Sequence, residues 1–144
     1  MQDLADKVAV ITGGASGIGF STAQKLAERG VHLVLTDIEA NALDKAVETL
    51  KTNGVKVEGV VCDVSKLEQM QQLAEITFER MGAAHIVFNN AGIAVGGPIL
   101  DMSHADWEWT IQVDLWGPIH GVEVFAKRMV EQGQGGHLLF TSSF

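Results

Sequence analysis

Short apolar runs alternate with longer amphipathic segments along the whole chain, and this alternation restricts the possible folds more than any other feature. The runs predict five strands, at residues 7–12, 32–36, 55–61, 85–88 and 137–141. Strands that are apolar at nearly every position are typical of parallel sheets with helices on both faces. Strand–helix alternation with crossovers of this length indicates right-handed βαβ units. We therefore predict an α/β fold with a doubly wound sheet.

The segments between the runs predict helices. Apolar residues recur at helical spacing in residues 18–29, 40–50 and 67–78, and a longer helix is predicted over residues 106–131 with a kink at Gly117-Pro118. Residues 93–104 are predicted to form a glycine-containing loop. Three tryptophans, Trp107, Trp109 and Trp116, surround the start of the long helix, where we favour packing or a subunit interface over substrate stacking.

Composition excludes several functional classes. At 144 residues the chain has the size of one domain, and its net charge of −8 argues against binding nucleic acid through a basic patch. Its single cysteine, Cys62, excludes an internal disulfide, and the five scattered histidines predict no metal site. The sequence shows no membrane span and no signal peptide, so we expect a cytoplasmic protein.

A glycine-rich turn joins the first predicted strand to the first helix. It reads Thr12-Gly13-Gly14-Ala15-Ser16-Gly17-Ile18-Gly19. Glycine at Gly13 and Gly17 permits a tight turn, and glycine at Gly19 lets helix and strand pack closely. The amides from Ser16 through Ile18 to Gly19 open a helix N-terminus, which suits a pyrophosphate. The alternative is a turn without a ligand, but its place in a βαβ unit favours dinucleotide binding.

Asp37, at the end of the second predicted strand, supports that interpretation. It follows Gly19 at close to the spacing of about 20 residues expected for an acid that binds the adenosine ribose. A carboxylate here would accept hydrogen bonds from the ribose hydroxyls and repel a 2′-phosphate. No Arg or Lys lies between Thr12 and Ser21, so NAD is favoured over NADP. The alternatives are a solvated aspartate or a cap for the next helix.

Three motifs together resemble the short-chain dehydrogenase/reductase family, in its main single-domain branch. They are Thr12-Gly13-x-x-x-Gly17-x-Gly19, then Cys62-Asp63-Val64, then Asn89-Asn90-Ala91-Gly92, and a fifth strand that ends in Thr-Ser-Ser matches as well. The resemblance covers essentially the whole chain. It implies a Rossmann-type sheet with strand order 3-2-1-4-5, here cut after the fifth strand.

The resemblance also implies roles for particular residues. Asp63 would accept the adenine amino proton beside the Val64 amide, although it could at the same time cap the helix near Ser65. The segment that runs from Asn89 through Asn90 and Ala91 to Gly92 would tie the central strands together and lie along the adenosine ribose; without the family it would be only a turn. Ser143 would hydrogen-bond the substrate carbonyl or hydroxyl, whereas a terminal serine considered alone is almost always inert.

Two departures from the family limit these expectations. The family pairs a Tyr-x-x-x-Lys motif with the serine for proton transfer, and this chain has no tyrosine. Asp114 stands where most members have Asn, a residue that breaks the long helix and holds a water linked to the lysine. We list Asp114 with Ser143 as catalytic candidates and hypothesise that the complete enzyme tolerates aspartate through the lysine contact.

We accordingly expect residues 1–144 to form an incomplete NAD-binding Rossmann domain, inactive alone, from an oxidoreductase. The parent protein would transfer hydride between NAD and a small alcohol or carbonyl substrate, as a homo-oligomer. Two alternatives stay open. The chain could be an NAD-binding module without turnover, or a half-enzyme that interacts with intact subunits.

Overall fold

The computed structural model describes residues 3–142, and its centre is one sheet of five strands. The strands are β1 (Val8–Thr12), β2 (His32–Asp37), β3 (Val57–Val61), β4 (Ile86–Asn89) and β5 (His137–Phe140). Every neighbouring pair is parallel, in the order β3-β2-β1-β4-β5. The doubly wound sheet and the predicted strand order are thus confirmed.

Helices connect the strands and cover both faces of the sheet. They are α1 (Gly17–Ala27), α2 (Ala40–Lys51), α3 (Leu67–Met81), α4 (His104–Ile111) and α5 (Gly117–Glu131), with a 3₁₀ turn at Ile99–Asp101. Gly82 ends α3 with φ 80°, which glycine adopts without strain. Within residues 3–142, every helix is too short or too polar to span a lipid bilayer.

The side chains of β1 alternate between the two faces of the sheet and contribute to the two layers of the core. Ala9 and Ile11 are fully buried in the layer beneath α1 and α2, while Val8 and Val10 are buried in the layer beneath α3 and α5. Successive side chains of a strand point to opposite faces of the sheet, so a strand that is apolar at every position packs into the core on both faces. Phe125 from α5 is the largest fully buried side chain of the second layer.

The two edge strands are less covered than the three central strands. β5 pairs only with β4, and its Leu139 and Phe140 are 44% and 47% exposed. Val61 of β3, at the opposite edge, is 56% exposed. The apolar runs therefore predicted the positions of the strands, and burial on both faces is a property of the central strands.

The long helix begins earlier and is distorted earlier than predicted. It starts at His104, where Ser103 and Asp106 form a reciprocal capping box. The run then continues to Glu131 through a π-helical segment at Gln112–Trp116, which directly precedes the predicted kink at Gly117-Pro118. Single π turns in α-helices frequently occur at functional sites, and Asp114 lies in this one.

Candidate functional site

A cleft of about 620 Å³ opens at the carboxyl ends of the central strands, where ligands bind in open α/β sheets. All the predicted cofactor-binding residues except Gly19 line it. They are Gly13, Ser16, Gly17, Ile18, Asp37, Asp63, Val64, Asn90, Ala91 and Gly92. Four separate loops thus converge on one concave surface.

The glycine-rich turn has a conformation that depends on glycine. Gly13 and Gly17 have φ of 62° and 53°, in the left-handed region. A Cβ on Gly13 would lie 2.9 Å from the Ala91 Cα, and a Cβ on Gly19 would collide with the Gly13 carbonyl and lie 2.7 Å from the Asn90 Nδ2. Gly19 is therefore buried below the turn instead of lining the cleft, and its contribution is the close packing of α1 on the turn.

The N-terminus of α1 faces the same cleft. Ser16 is the N-cap residue with an extended backbone, and its side chain makes no capping hydrogen bond. The first intrahelical bond is donated by the Phe20 amide to the Ser16 carbonyl, so the earlier amides have no partner within the helix. Because Gly17 and Ile18 line the cleft, the positive end of the helix dipole is directed at whatever binds there.

The carboxylate of Asp37 is turned toward the glycine-rich turn. Its Oδ2 accepts a hydrogen bond from the Ala15 amide at 3.2 Å, and its Oδ1 accepts one from the Glu39 amide at 3.2 Å. Asp37, Glu39 and Asp63 all line the cleft, while none of the described residues that line it is Lys or Arg. A phosphate group in this cleft would therefore be held by backbone amides, without a cationic side chain.

Asp63 is fixed by the residues that follow it. Its Oδ1 accepts hydrogen bonds from the Ser65 amide at 2.9 Å and from the Ser65 hydroxyl at 2.7 Å. Its own amide donates to Gln69 Oε1 at 2.7 Å. Asp63 thus forms a turn with Ser65 and does not cap α3, whose N-cap residue is Lys66 with no side-chain capping bond. Asp63 lines the cleft at the same time.

The segment after β4 is joined to the end of β1 through Thr12. The Thr12 hydroxyl oxygen accepts from the Asn90 and Ala91 amides at 2.9 and 3.0 Å. Asn90 Nδ2 donates to the carbonyls of Thr12 and Gly13 at 3.1 and 3.3 Å, and Thr141 donates its hydroxyl to Asn90 Oδ1 at 2.9 Å. These bonds tie the three neighbouring strands β1, β4 and β5 together at the cleft.

Of the two catalytic candidates, the structure describes Asp114 alone. Asp114 does not line the cleft, and its Oδ1 accepts a hydrogen bond from the Ile93 amide at 2.8 Å. It therefore connects the π-helical segment to the loop that leaves β4. Ser143 lies outside the described residues, so its predicted role stays a prediction.

Sequence reasoning missed several residues of the cleft. Trp109 and Val113 line it, together with Ile38, Cys62 and Thr141. Trp109 is 52% exposed, so it does not pack in the core of this chain; the subunit interface that was the other expectation for it stays a prediction. Its spacing of four from Val113 puts both on one helical face, a signal that could have indicated this position. Burial raises the pKa of the Cys62 thiol to about 11, so this thiol stays protonated at neutral pH.

Metal ligands are not grouped in the part of the chain that the structure describes. Among residues 3–142, no three His, Cys, Asp or Glu side chains are arranged so that they could hold a metal ion. The cleft instead offers amides, carboxylates and apolar side chains, a set of groups suited to a nucleotide.

Comparison with known proteins agrees with this geometry. The family model described as short chain dehydrogenase matches residues 7–144. The chain is 38% identical to the C alpha-dehydrogenase of Sphingobium sp. over 99% of its own length and 47% of that protein. It is 37% identical to the 1-deoxy-11-beta-hydroxypentalenate dehydrogenase of Streptomyces avermitilis over 97% of its own length and 53% of that protein. The chain thus spans about half the length of the curated relatives it matches.

A solved structure shows the same backbone arrangement. A short chain dehydrogenase/reductase from Burkholderia phymatum, in complex with NAD, superposes with a TM-score of 0.96 at 43% sequence identity. The match covers 99% of this chain and 51% of that one.

Proposed function

Because this chain belongs to the short-chain dehydrogenase/reductase family, we propose that it forms the NAD-binding Rossmann part of an oxidoreductase. The reaction would be hydride transfer between NAD(H) and the alcohol or carbonyl group of a small molecule. The observation that carries this proposal is the cleft itself, in which helix amides and the Asp37 carboxylate face the same space.

The preference for NAD over NADP rests on charge. Asp37 and Glu39 are neighbouring carboxylates on the wall of the cleft, and none of the described residues lining it is cationic. Ribose hydroxyls could donate to Asp37, whereas a 2′-phosphate would add a dianion beside two carboxylates. The NAD present in the related solved structure supports a nicotinamide cofactor.

Different parts of the dinucleotide would contact different residues of the cleft. The pyrophosphate would rest on the amides of Gly17 and Ile18, and the adenosine on Asp37, Asp63 and the segment after β4. When bound, NAD supplies the carbon that accepts or donates hydride. Val64, Val113 and Ile93 line the cleft with apolar side chains, which would exclude water from the bound dinucleotide.

Proton transfer needs groups that these residues do not contain. The sequence has no tyrosine, so it lacks that member of the Tyr-x-x-x-Lys motif implied by the family. We propose that Ser143 would hydrogen-bond the substrate oxygen and that residues 1–144 form an incomplete domain that binds cofactor without turnover. Asp114 would support the loop that leaves β4 instead of touching substrate.

Association and location are further parts of the proposal. Large apolar side chains are exposed along the distorted helix, among them Trp107, Ile111, Leu115 and Trp116. Exposed apolar patches of this kind mark interaction surfaces, which supports homo-oligomerisation through this face. We also propose that the protein works in the cytoplasm.

The two alternatives depend on different surfaces of the chain. A binding module without turnover needs only the cleft. A half-enzyme that pairs with intact subunits needs the exposed helix face, and its formation would be detected by co-purification with a complete homologue. Both keep NAD binding, so the first experiment addresses the cleft.

The test is a calorimetric titration of this chain with NAD and with NADP. We expect NAD to bind at least about tenfold more tightly, since a charge-assisted hydrogen bond contributes about 1.5–3 kcal/mol. Asp37→Asn keeps the shape and one acceptor oxygen but removes the charge, so it should weaken NAD several-fold and strengthen NADP.

Asp44→Asn is the matched control, because Asp44 is an exposed carboxylate on α2 and does not line the cleft. It should leave both affinities unchanged. Tighter binding of NADP than of NAD by the unmodified chain would contradict the cofactor preference, and absence of binding to either would contradict the proposed function.

A further inference from the structure

We propose that Ser65 is a positioning residue that sets the Asp63 carboxylate to select adenine over purines without a 6-amino group. This inference rests on the proposed function, because it concerns the base of the bound dinucleotide. It assigns to Ser65, which does not line the cleft, an effect on what the cleft accepts.

The geometry gives both Ser65 hydrogen bonds to one carboxylate oxygen. The Ser65 amide and hydroxyl donate to Asp63 Oδ1 at 2.9 and 2.7 Å. Two donors on the same oxygen fix the rotation of the carboxylate about its last bond. Among the described residues, the hydrogen bonds of this carboxylate fall on Oδ1, which leaves Oδ2 to accept a bond from a ligand.

The backbone that carries Asp63 is held from two further directions. Its amide donates to Gln69 Oε1 at 2.7 Å. The next residue, Val64, is buried, and its carbonyl accepts a hydrogen bond from His120 Nδ1 at 2.8 Å. With the main chain fixed, the remaining freedom of Asp63 is side-chain rotation, and the Ser65 hydroxyl restricts that freedom.

Base selection follows from what the free oxygen can do. An ionised carboxylate only accepts hydrogen bonds. The 6-amino group of adenine donates one, whereas the 6-oxo group of hypoxanthine is itself an acceptor and would leave both groups unpaired. Loss of the Ser65 hydroxyl lets the carboxylate rotate away from the base. The discrimination between the two bases should then fall more than binding as a whole.

A second serine–carboxylate pair provides the matched control. Ser103 donates its hydroxyl to Asp106 Oδ2 at 2.7 Å, the same distance as in the Ser65 pair. This pair caps α4 and does not line the cleft. Ser103→Ala therefore removes the same kind of bond without touching the base.

The experiment titrates the chain with NAD and with nicotinamide hypoxanthine dinucleotide, which differ at the base alone. We expect the unmodified chain to favour NAD by about tenfold, the value of one hydrogen bond near 1.4 kcal/mol. Ser65→Ala should lower that ratio by about threefold or more, through weaker NAD binding. Ser65→Thr, which keeps the hydroxyl, should restore the ratio, and Ser103→Ala should leave it unchanged.

The outcomes separate this inference from the proposed function. An unchanged ratio in Ser65→Ala, with NAD still bound, overturns the positioning role and leaves the function intact. No binding of either dinucleotide by the unmodified chain overturns both. Circular dichroism verifies folding of each variant; if Ser65→Ala does not fold, Ser65→Cys replaces it and should give an intermediate ratio, since a thiol is a weak donor.

Discussion

Two glycine-containing loops leave adjacent strands and border the same cleft, but they are built differently. The first loop follows β1, and glycine is required there by a left-handed backbone at Gly13 and by close packing at Gly19. The second loop follows β4, and an added Cβ at Gly96 would meet no atom within 4 Å; Gly97 is equally open but has φ 142°, which favours glycine. The second loop leads into Leu100, which is 94% exposed.

The difference indicates which of the two loops is rigid before a ligand binds. Packing and hydrogen bonds fix the first loop before any ligand arrives, so its amides need little ordering on binding. The second loop is fixed mainly where it begins, by the bond from the Ile93 amide to Asp114. We infer that the end of the cleft formed by the first loop is preorganised and that the end bordered by the second loop is adaptable.

Gly19→Ala tests the rigid loop and should have the largest effect. Its Cβ would collide with the Gly13 carbonyl, so α1 or the turn must move. We expect the free energy of unfolding to fall by about 3 kcal/mol and NAD affinity to fall by about a hundredfold. Urea denaturation and calorimetry measure the two quantities.

Gly96→Ala is the matched control in the open loop. Gly96 has space around it and no positive φ, so alanine should be neutral or stabilise by up to about 0.5 kcal/mol. Equal losses in the two variants would show that the loops do not differ as we describe.

Thr12→Val tests the connection between the two loops and should have an intermediate effect. Valine has nearly the same shape but cannot accept the hydrogen bonds from the Asn90 and Ala91 amides. Two amides in a partly buried site would lose their partner, which we expect to cost about 2 kcal/mol of unfolding free energy and about tenfold in NAD affinity. The measurements are the same two titrations.

Thr12→Ser separates the hydroxyl from the methyl group. It keeps the acceptor oxygen, so NAD affinity should stay close to that of the unmodified chain even if packing loosens slightly. If serine weakened NAD as much as valine does, the hydroxyl would not be the connecting group.

Local pattern was sufficient for much of this architecture. The glycine spacing after β1 and the position of Asp37 after β2 predicted one cleft, because a strand, a turn and a helix N-terminus are adjacent in sequence. The strand order came from the family resemblance, since no property of a single strand identifies its neighbour. Residue contacts between elements were harder to predict. Thr12 was predicted as the end of a strand and the first residue of the glycine-rich turn, but the bonds of its hydroxyl were not predicted, because their partners lie 78 and 79 positions away.

The distorted helix shows a second limit. The Gly117-Pro118 pair predicted a kink, but the π-helical segment begins at Gln112, before either residue. The capping box at Ser103 was present in the sequence as Ser-x-x-Asp, and the predicted start at Asp106 overlooked it. Exposure at β5 and at Trp109 depends on what packs outside these elements, which apolar periodicity does not report.

Substitutions at Asp114 test the hydrogen bond to the Ile93 amide in the second loop, and their expected effect is the smallest. The bond from the Ile93 amide requires only an acceptor oxygen, which asparagine also has, so Asp114→Asn should change the free energy of unfolding by less than about 0.5 kcal/mol. Asp114→Ala removes the acceptor at an exposed position and should cost about 1 kcal/mol. Hydrogen exchange of the Ile93 amide should accelerate in the alanine variant alone. Faster exchange in both variants would mean that the charge, and not the acceptor, holds the loop, and aspartate at this position would then be a specific requirement instead of a tolerated replacement.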